Sequence, residues 1–426
     1  MWDLLSNRVV PRWWALLKLE KIQKDMDMKS LVVVPVSHAW VAESERSGVL
    51  TPINSYQWPV PVPLDSNLER IRIELLNLGL QYSWLNVLCL RQKGDSDKED
   101  VRLEEWKLDV PTIGAVYRQT GWDDRVVVYF NGLGRPFEIR NLTDTRHWLN
   151  RAWTVQEAGK DMMIGGQTPS SPSLTEKDNN NPLHTEFYYR LRQAKQLTGI
   201  TIYTISQGIN IMRERAATSE LDKIAGLVTI VHSGRIPIFD QTLMVEDSWA
   251  HLIKVMSTVS RAHLLFWFPF AGNERYSWAP SWEQVMRIKV PPADVGIMDL
   301  ARIEYQETTQ CFTGYIKVLR NVHVLGLGHG ARDNTSIRVD VCRQGSVVVA
   351  DPTTGQSRNF SVKAEHNCMI DENQLYDLVQ SWHYGLFVVA IPDDVGHLRK
   401  ICTLQLCDQN QHYIKPEGFN EEIILV

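Results

Sequence analysis

Three apolar runs in the first third of the chain each end in polar or glycine residues. LVVVPVS (31–37) leads into His38-Ala39-Trp40, WLNVLCL (84–90) into Arg91 and Gln92, and RVVVYF (125–130) into Asn131-Gly132-Leu133-Gly134. Short, unbroken, β-branched runs of this kind predict strands buried on both faces. Between them, residues 67–78 carry Leu68, Ile71, Leu75, Leu76 and Leu78 at helical spacing. The Pro- and Ser-rich stretch 44–64 has no period and reads as a loop, and the charged stretch 93–105 reads as a mobile one. Asp109-Val110-Pro111 has the form of a helix start, with Asp109 as cap and Pro111 in the first turn. Residues 145–158 predict a further helix and 162–164 a last short strand. Strands alternating with helices predict a parallel α/β sheet.

The texture then changes twice. QTPSSPSLTEKDNNNP (167–182) is polar and rich in breakers, as a disordered linker is. Helical patterns follow at 186–197, 205–217, 221–231 and 246–259. From about residue 314, short β-branched runs (315–319, 322–327, 336–341, 346–349, 386–391) alternate with Gly, Asp and Asn. The expected organisation is a leader segment (1–30), an α/β domain (31–166), a linker (167–183), a helical region (184–300) and a small mostly-β domain (301–426).

Composition adds limits. With 426 residues, 44% hydrophobic and 22% charged, the chain can bury two or three cores. A net charge of -5 gives no reason to expect a general nucleic-acid partner. No apolar run has the length of a membrane span. The aromatic start MWDLLSNRVVPRWWALLK, interrupted by Arg8 and Arg12, reads as a packed leader and not as a signal peptide. The six cysteines are scattered and form no CxxC pair, so no metal site is indicated and a reducing, cytoplasmic setting is expected. Fifteen tryptophans point to deep aromatic packing, with one or two available to line a nucleotide-stacking cleft.

Candidate chemistry gathers at the strand ends. On a single helix 145–158, Trp148, Leu149, Ala152 and Val155 share the stripe that packs on the sheet. Arg146, Asn150, Trp153 and Glu157 fall on another. Glu157 beside Trp153 is then either a catalytic acid or ribose ligand, or a solvated glutamate paired with a nearby arginine. Ser37, His38 and Trp40 close the first strand. A strand-end His is more often structural than a base, and Cys89, flanked by Leu88 and Leu90, reads as a packed hydrophobe. Arg91 suits a phosphate, a carboxylate or a surface ion pair alike. Asn131-Gly132-Leu133-Gly134 lacks the third glycine and the following helix of a phosphate loop, so a tight turn is the stronger reading. Downstream, Ser219 has the position of an N-cap with Asp222 at capping-box distance, and Ala279-Pro280-Ser281-Trp282 reads as a rigid strap.

Taken together, the segments Ser37-His-Ala-Trp40, Trp84-Leu-Asn-Val-Leu-Cys-Leu-Arg-Gln92, Pro111-Thr-Ile-Gly-Ala-Val-Tyr117 and Arg151-Ala-Trp-Thr-Val-Gln-Glu157 resemble the fungal HET (heterokaryon incompatibility) domain family. Leu221-Asp-Lys-Ile-Ala-Gly-Leu227 and Ala279-Pro-Ser-Trp282 resemble the region downstream of that domain, in a form similar to a basidiomycete branch. The resemblance covers residues 30–165 closely, extends loosely to about 285 and stops there. Asn86 and Arg91 stand where the family usually has Asp, and Trp40-Val41 where it has Trp-Gly, which puts a metal or acid role at 86 and 91 in doubt. The family resembles TIR domains, flavodoxin-like sheets of which some cleave NAD at the nicotinamide–ribose bond. Trp153-Thr-Val-Gln-Glu157 has the TIR spacing from Trp to the catalytic Glu. The resemblance therefore implies a TIR/flavodoxin-like sheet and a cytoplasmic protein of non-self recognition and programmed cell death. Glu157 would be its catalytic residue, with Ser37, His38, Trp40, Arg91, Asn131, Gly132 and Trp153 contacting NAD. NAD would be substrate, with no tightly bound cofactor. It equally allows a non-enzymatic module that signals by self-association with an unidentified incompatibility partner.

Overall fold

A computed structural model of the chain describes residues 1–13, 32–94, 96–118, 125–159, 161–169, 171, 181–198, 205–229, 231, 235–289, 301–328, 338–339, 341–350, 356–382, 385–407 and 419–426. Most of the linker 167–183, the later part of the leader 1–30, Trp122 and half of the strand expected at 336–341 lie outside the described residues. The chain forms two compact units. The first comprises Met1–Thr201, Glu214–Thr229 and Ile238–Thr242; the second comprises Ile202–Arg213, Ile230–Pro237 and Leu243–Val426.

In the first unit the strands are β1 (Trp2–Asp3), β2 (Arg8–Val9), β3 (Val34–His38), β4 (Arg46–Val49), β5 (Val60–Pro63), β6 (Tyr82–Leu85), β7 (Arg125–Tyr129) and β8 (Asp161–Ile164). Six of them make one sheet in the order β2-β1-β6-β3-β7-β8. β6, β3, β7 and β8 run parallel, while β1 joins antiparallel to β6. VPVSH (β3) and RVVVY (β7) occupy the middle and are almost wholly buried, as strands covered on both faces must be. The chain steps outward from β3 to β6, then returns past β3 to β7. Such a reversal leaves a crevice at the carboxyl ends of the strands.

The helix Leu68–Asn77 forms where its apolar spacing predicts. Asn67 caps it by accepting the Arg70 amide at 2.8 Å, and Gly79, at φ +77°, takes the left-handed conformation that ends it. Four other expectations are corrected. The run 84–90 is not one strand: β6 stops at Leu85, and Asn86 turns the chain into the short helix Asn86–Cys89 by accepting the Val87 amide on Oδ1 at 2.7 Å. Cys89 thus lies in a helical turn. The stretch 44–64 holds the antiparallel pair β4–β5, whose prolines suit a two-stranded edge. The charged stretch 93–105 enters the helix Glu99–Asp109, begun by Glu99 and Asp100 at the positive end of its dipole. Asp109 is the last residue of that helix and caps nothing; Val110–Thr112 is a 3-10 turn leading into the helix Ile113–Tyr117.

The second unit begins with the helices Ile205–Arg213, Val245–Val255, Thr258–Trp267 and Trp282–Arg287. Ala279-Pro280-Ser281-Trp282 is a buried strap there: the Trp249 indole donates to the Pro280 carbonyl at 2.9 Å, and Ser281 caps the last helix. The strands β9 (Ile303–Gln306), β10 (Cys311–Leu325), β11 (Arg343–Ala350), β12 (Ser357–Ala364), β13 (Leu375–Gln380), β14 (Leu386–Pro392), β15 (Leu398–Leu406) and β16 (Phe419–Leu425) form one sheet, nearly all antiparallel. The runs 315–319 and 322–327, read separately in the sequence, belong largely to the single strand β10, bent by a bulge between Leu319 and Val322 with Asn321 at φ +56°. β10 pairs with β13 along one edge, and with β16 and then β11 along the other. The sheet therefore closes on itself around Val322, Val324, Val362, Tyr376, Val389 and Leu404. Among the described residues no helix is long and apolar enough to cross a membrane.

Candidate active site

The segment carrying Glu157 is not the single helix its pattern predicts. Trp148–Asn150 is a 3-10 turn, the chain extends at Arg151, and a four-residue helix, Thr154–Glu157, follows. The interruption comes from a distant strand-like contact. Ala216 donates its amide to the Asn150 carbonyl at 2.6 Å, and Ala152 donates to the Ala216 carbonyl at 2.9 Å. Backbone groups used in that bridge cannot serve a helical ladder. Thr154 Oγ1 restarts the helix by donating to the Trp148 carbonyl at 2.7 Å. Gly114 lets the helix Ile113–Tyr117 approach this turn: a Cβ there would sit 2.7 Å from Gln156 Oε1 and 2.2 Å from Thr229 Cγ2.

The result is a cavity of about 950 Å³ whose lining includes His38 at the end of β3, Asn86 just past β6, Trp40, Trp153, Phe239 and Glu157. Its volume is that of a site for a ligand of nucleotide or dinucleotide size. Glu157 is 6% exposed. Ser37, behind it in β3, donates to Glu157 Oε2 at 2.5 Å and accepts the Trp148 indole N–H at 2.6 Å. The Tyr117 hydroxyl, nearby, donates to the Val36 carbonyl at 2.9 Å.

Burial dominates the charge on Glu157. Removal from water lifts its carboxyl from the ordinary 4.5 to about 7, against the opposing pull of the Ser37 hydrogen bond and the positive charge of Arg151. Asp222 is also raised by burial, and it is held toward its charged form by the Ser219 amide, the Trp153 indole and Arg151. Glu157 and Asp222 are thus two lining carboxylates that burial shifts in the same direction. Burial lowers the His38 pKa, opposed by two acceptors that favour ring protons: Asn86 Oδ1, which also accepts the Val87 amide, 2.9 Å from Nε2, and the Ala39 carbonyl 3.2 Å from Nδ1. Ser37→Ala should make the Glu157 carboxyl harder to ionise, by up to about tenfold in proton affinity. Infrared titration of the carboxyl stretch measures this, and a midpoint equal to or below that of the parent protein would contradict it.

The structure brings Glu157, His38, Trp40 and Trp153 together around the cavity, with Ser37 as the residue behind Glu157. Three other candidates lie elsewhere. Arg91 spends its fork on Glu105, at 3.0 and 3.2 Å, and stacks 5.2 Å from the Trp58 ring centre. Asn131 Oδ1 accepts the Glu138 amide at 2.8 Å, and Gly132, at φ +124°, shapes a tight turn against Val41. Lining residues not singled out for the site include Arg146, Arg151, Trp106, Asp222 and Phe239. Arg151 was visible in its motif as a cation six residues before Glu157. Asp222 and Phe239 lie far along the chain; Asp222 was legible only as a capping-box residue, a role it fills by accepting the Ser219 amide at 3.2 Å, and Phe239 gave no local signal. Among the described residues no group of three His, Cys, Asp or Glu is arranged to hold a metal.

No protein-family model, characterised protein or solved structure matches this chain. The functional reading therefore rests on the residues and their geometry.

Proposed function

We propose that this chain is a cytoplasmic HET-domain protein of fungal non-self recognition. In this reading its first unit is a TIR/flavodoxin-like domain that hydrolyses NAD at the nicotinamide–ribose bond through Glu157. The observation that carries the proposal is the position of Glu157: a buried carboxylate opening on a dinucleotide-sized cavity, next to the carboxyl ends of β3 and β6. The parallel order β6-β3-β7-β8, second-first-third-fourth along the chain, supports the flavodoxin-like assignment.

In the proposed reaction the C1′–N bond breaks with both electrons going to the pyridine nitrogen, so nicotinamide leaves neutral and needs no acid. The Glu157 carboxylate faces the cationic sugar that develops, as carboxylates do in glycoside cleavage. A water oxygen then bonds to C1′, and its proton passes through Glu157 to solvent, giving ADP-ribose. Aromatic side chains at Trp40, Trp153 and Phe239 give the hollow faces on which flat rings can stack.

The test is to incubate the purified protein, concentrated to favour self-association, with NAD and to quantify nicotinamide and ADP-ribose. Equal release of the two is expected. Absence of release at every concentration would overturn the enzymatic reading in favour of a module that signals by assembly alone.

A further inference from the structure

We propose that Arg146 and Arg151 form a diphosphate subsite in the cavity, binding the anionic middle of a dinucleotide while Glu157 faces its scissile end. The inference deepens the NAD reading and rests on it for the identity of that end; the binding claim itself needs no turnover.

Both arginines line the cavity. Arg146 is exposed at its rim and Arg151 is half-buried. The charges of Asp222, Arg146 and Glu157 all act on Arg151. Among the described residues the Arg146 guanidinium has one hydrogen bond, to the Val41 carbonyl at 3.3 Å, and the Arg151 guanidinium one, to Thr218 Oγ1 at 3.4 Å. Among the described residues neither forms an ion pair.

Other arginines of the same unit are bound differently. Arg72, Arg91, Arg102 and Arg135 each hold a carboxylate at 3.0 Å or closer. The remaining lining arginine, Arg46, is held by Glu43 at 3.3 Å and lies 5.0 Å from the Trp40 ring centre. Two like charges kept together repel each other, and Arg151 is in addition partly desolvated, which lowers its pKa. An anionic ligand would relieve both costs. A guanidinium offers paired N–H groups matched to phosphate oxygens, and two of them suit a diphosphate better than a single phosphate. Asp222 and Glu157 are the carboxylates felt by Arg151. They disfavour an anion pushed deeper into the cavity, which leaves the anion at the arginines.

Calorimetric titration with ADP-ribose and with inorganic pyrophosphate tests this on the full chain. Arg146→Gln should weaken both ligands by about tenfold or more. Arg140→Gln removes another exposed charge whose partner is Glu138 and which does not line the cavity, and it should leave both affinities within about twofold of the parent. Failure of the parent protein to bind either ligand, an unchanged affinity in Arg146→Gln, or equal weakening by both substitutions would each overturn the subsite. Binding with the expected pattern in a protein releasing no nicotinamide would keep the subsite and reject the hydrolase.

Discussion

Glu157→Gln is expected to reduce nicotinamide release about a thousandfold and, at pH 8, to make the first unit more stable by about 3 kcal/mol. The two effects share one cause. Glutamine keeps the shape and can still accept the Ser37 hydroxyl proton, but it carries no charge to face a cationic sugar. The stability effect follows from the carboxyl being near 4.5 in an unfolded chain and about 7 in the folded one. A group raised in this way contributes its full stability below pH 4.5 and loses it as pH rises through 7. Parent and variant should therefore be alike near pH 4, diverge as pH rises from about 4.5 to 7, and keep a constant difference above 7. Hydrogen exchange of the β3 and β7 amides reads the first unit without assuming that the whole chain unfolds in one step. A variant less stable than the parent at pH 8, or a difference that does not change with pH, would show that Glu157 is not a strained buried acid.

The strands and helices that carry this acid were legible to different degrees. The central strands β3 and β7 were plain because their valine runs are buried on both faces, and the helix Leu68–Asn77 was plain because its period and cap agree. The break at Arg151 was not legible. Nothing local forbids a continuous helix from 145 to 158; the bridge to Ala216, contributed by a remote segment, ends it. Helical periodicity still linked Trp153 to Glu157, since four-residue spacing survives in the short turn Thr154–Glu157. Asn86 shows the reverse case. Surrounded by apolar residues it read as mid-strand, yet its side chain takes the next amide and turns the backbone. Arg91 lies off the cavity, paired with Glu105, which belongs to a helix that the charged texture of 93–105 concealed.

The second large effect is expected in the closed sheet of the second unit. Lys400, in β15, is 1% exposed. Its Nζ donates to the carbonyls of Leu265 and Phe268, both at 2.5 Å, where the helix Thr258–Trp267 ends and leaves carbonyls without helical partners. Burial lowers the ammonium from 10.5 to about 7, with the Cys402 and Cys368 thiols opposing. The unfolded chain therefore binds more protons than the folded one between pH 7 and 10.5. Stability of this unit should rise with pH from 7 to about 9, by about 3 kcal/mol, above which Cys402 and Cys368, both raised by burial from 9, act in the opposite direction. Lys400→Met should remove the rise while leaving two carbonyls unpaired. Hydrogen exchange along β15 at pH 7 and pH 8.7, corrected for the intrinsic rate, measures it. A parent protein whose protection stays flat or falls over that range would refute the assignment.

The bridge between Arg151 and Ala216 has a further consequence for how the molecule can be divided. Thr218, Asp222, Phe239 and Gln241 all come from chain beyond the sheet, yet they complete the hollow in front of Glu157. A fragment ending at residue 166 would encode every strand of that sheet and still present an open trough, with the acid uncovered and its helix free to lengthen. The smallest piece able to hold a ligand is thus longer than the piece that holds the sheet, and boundaries drawn by strand pattern alone would cut through the binding site.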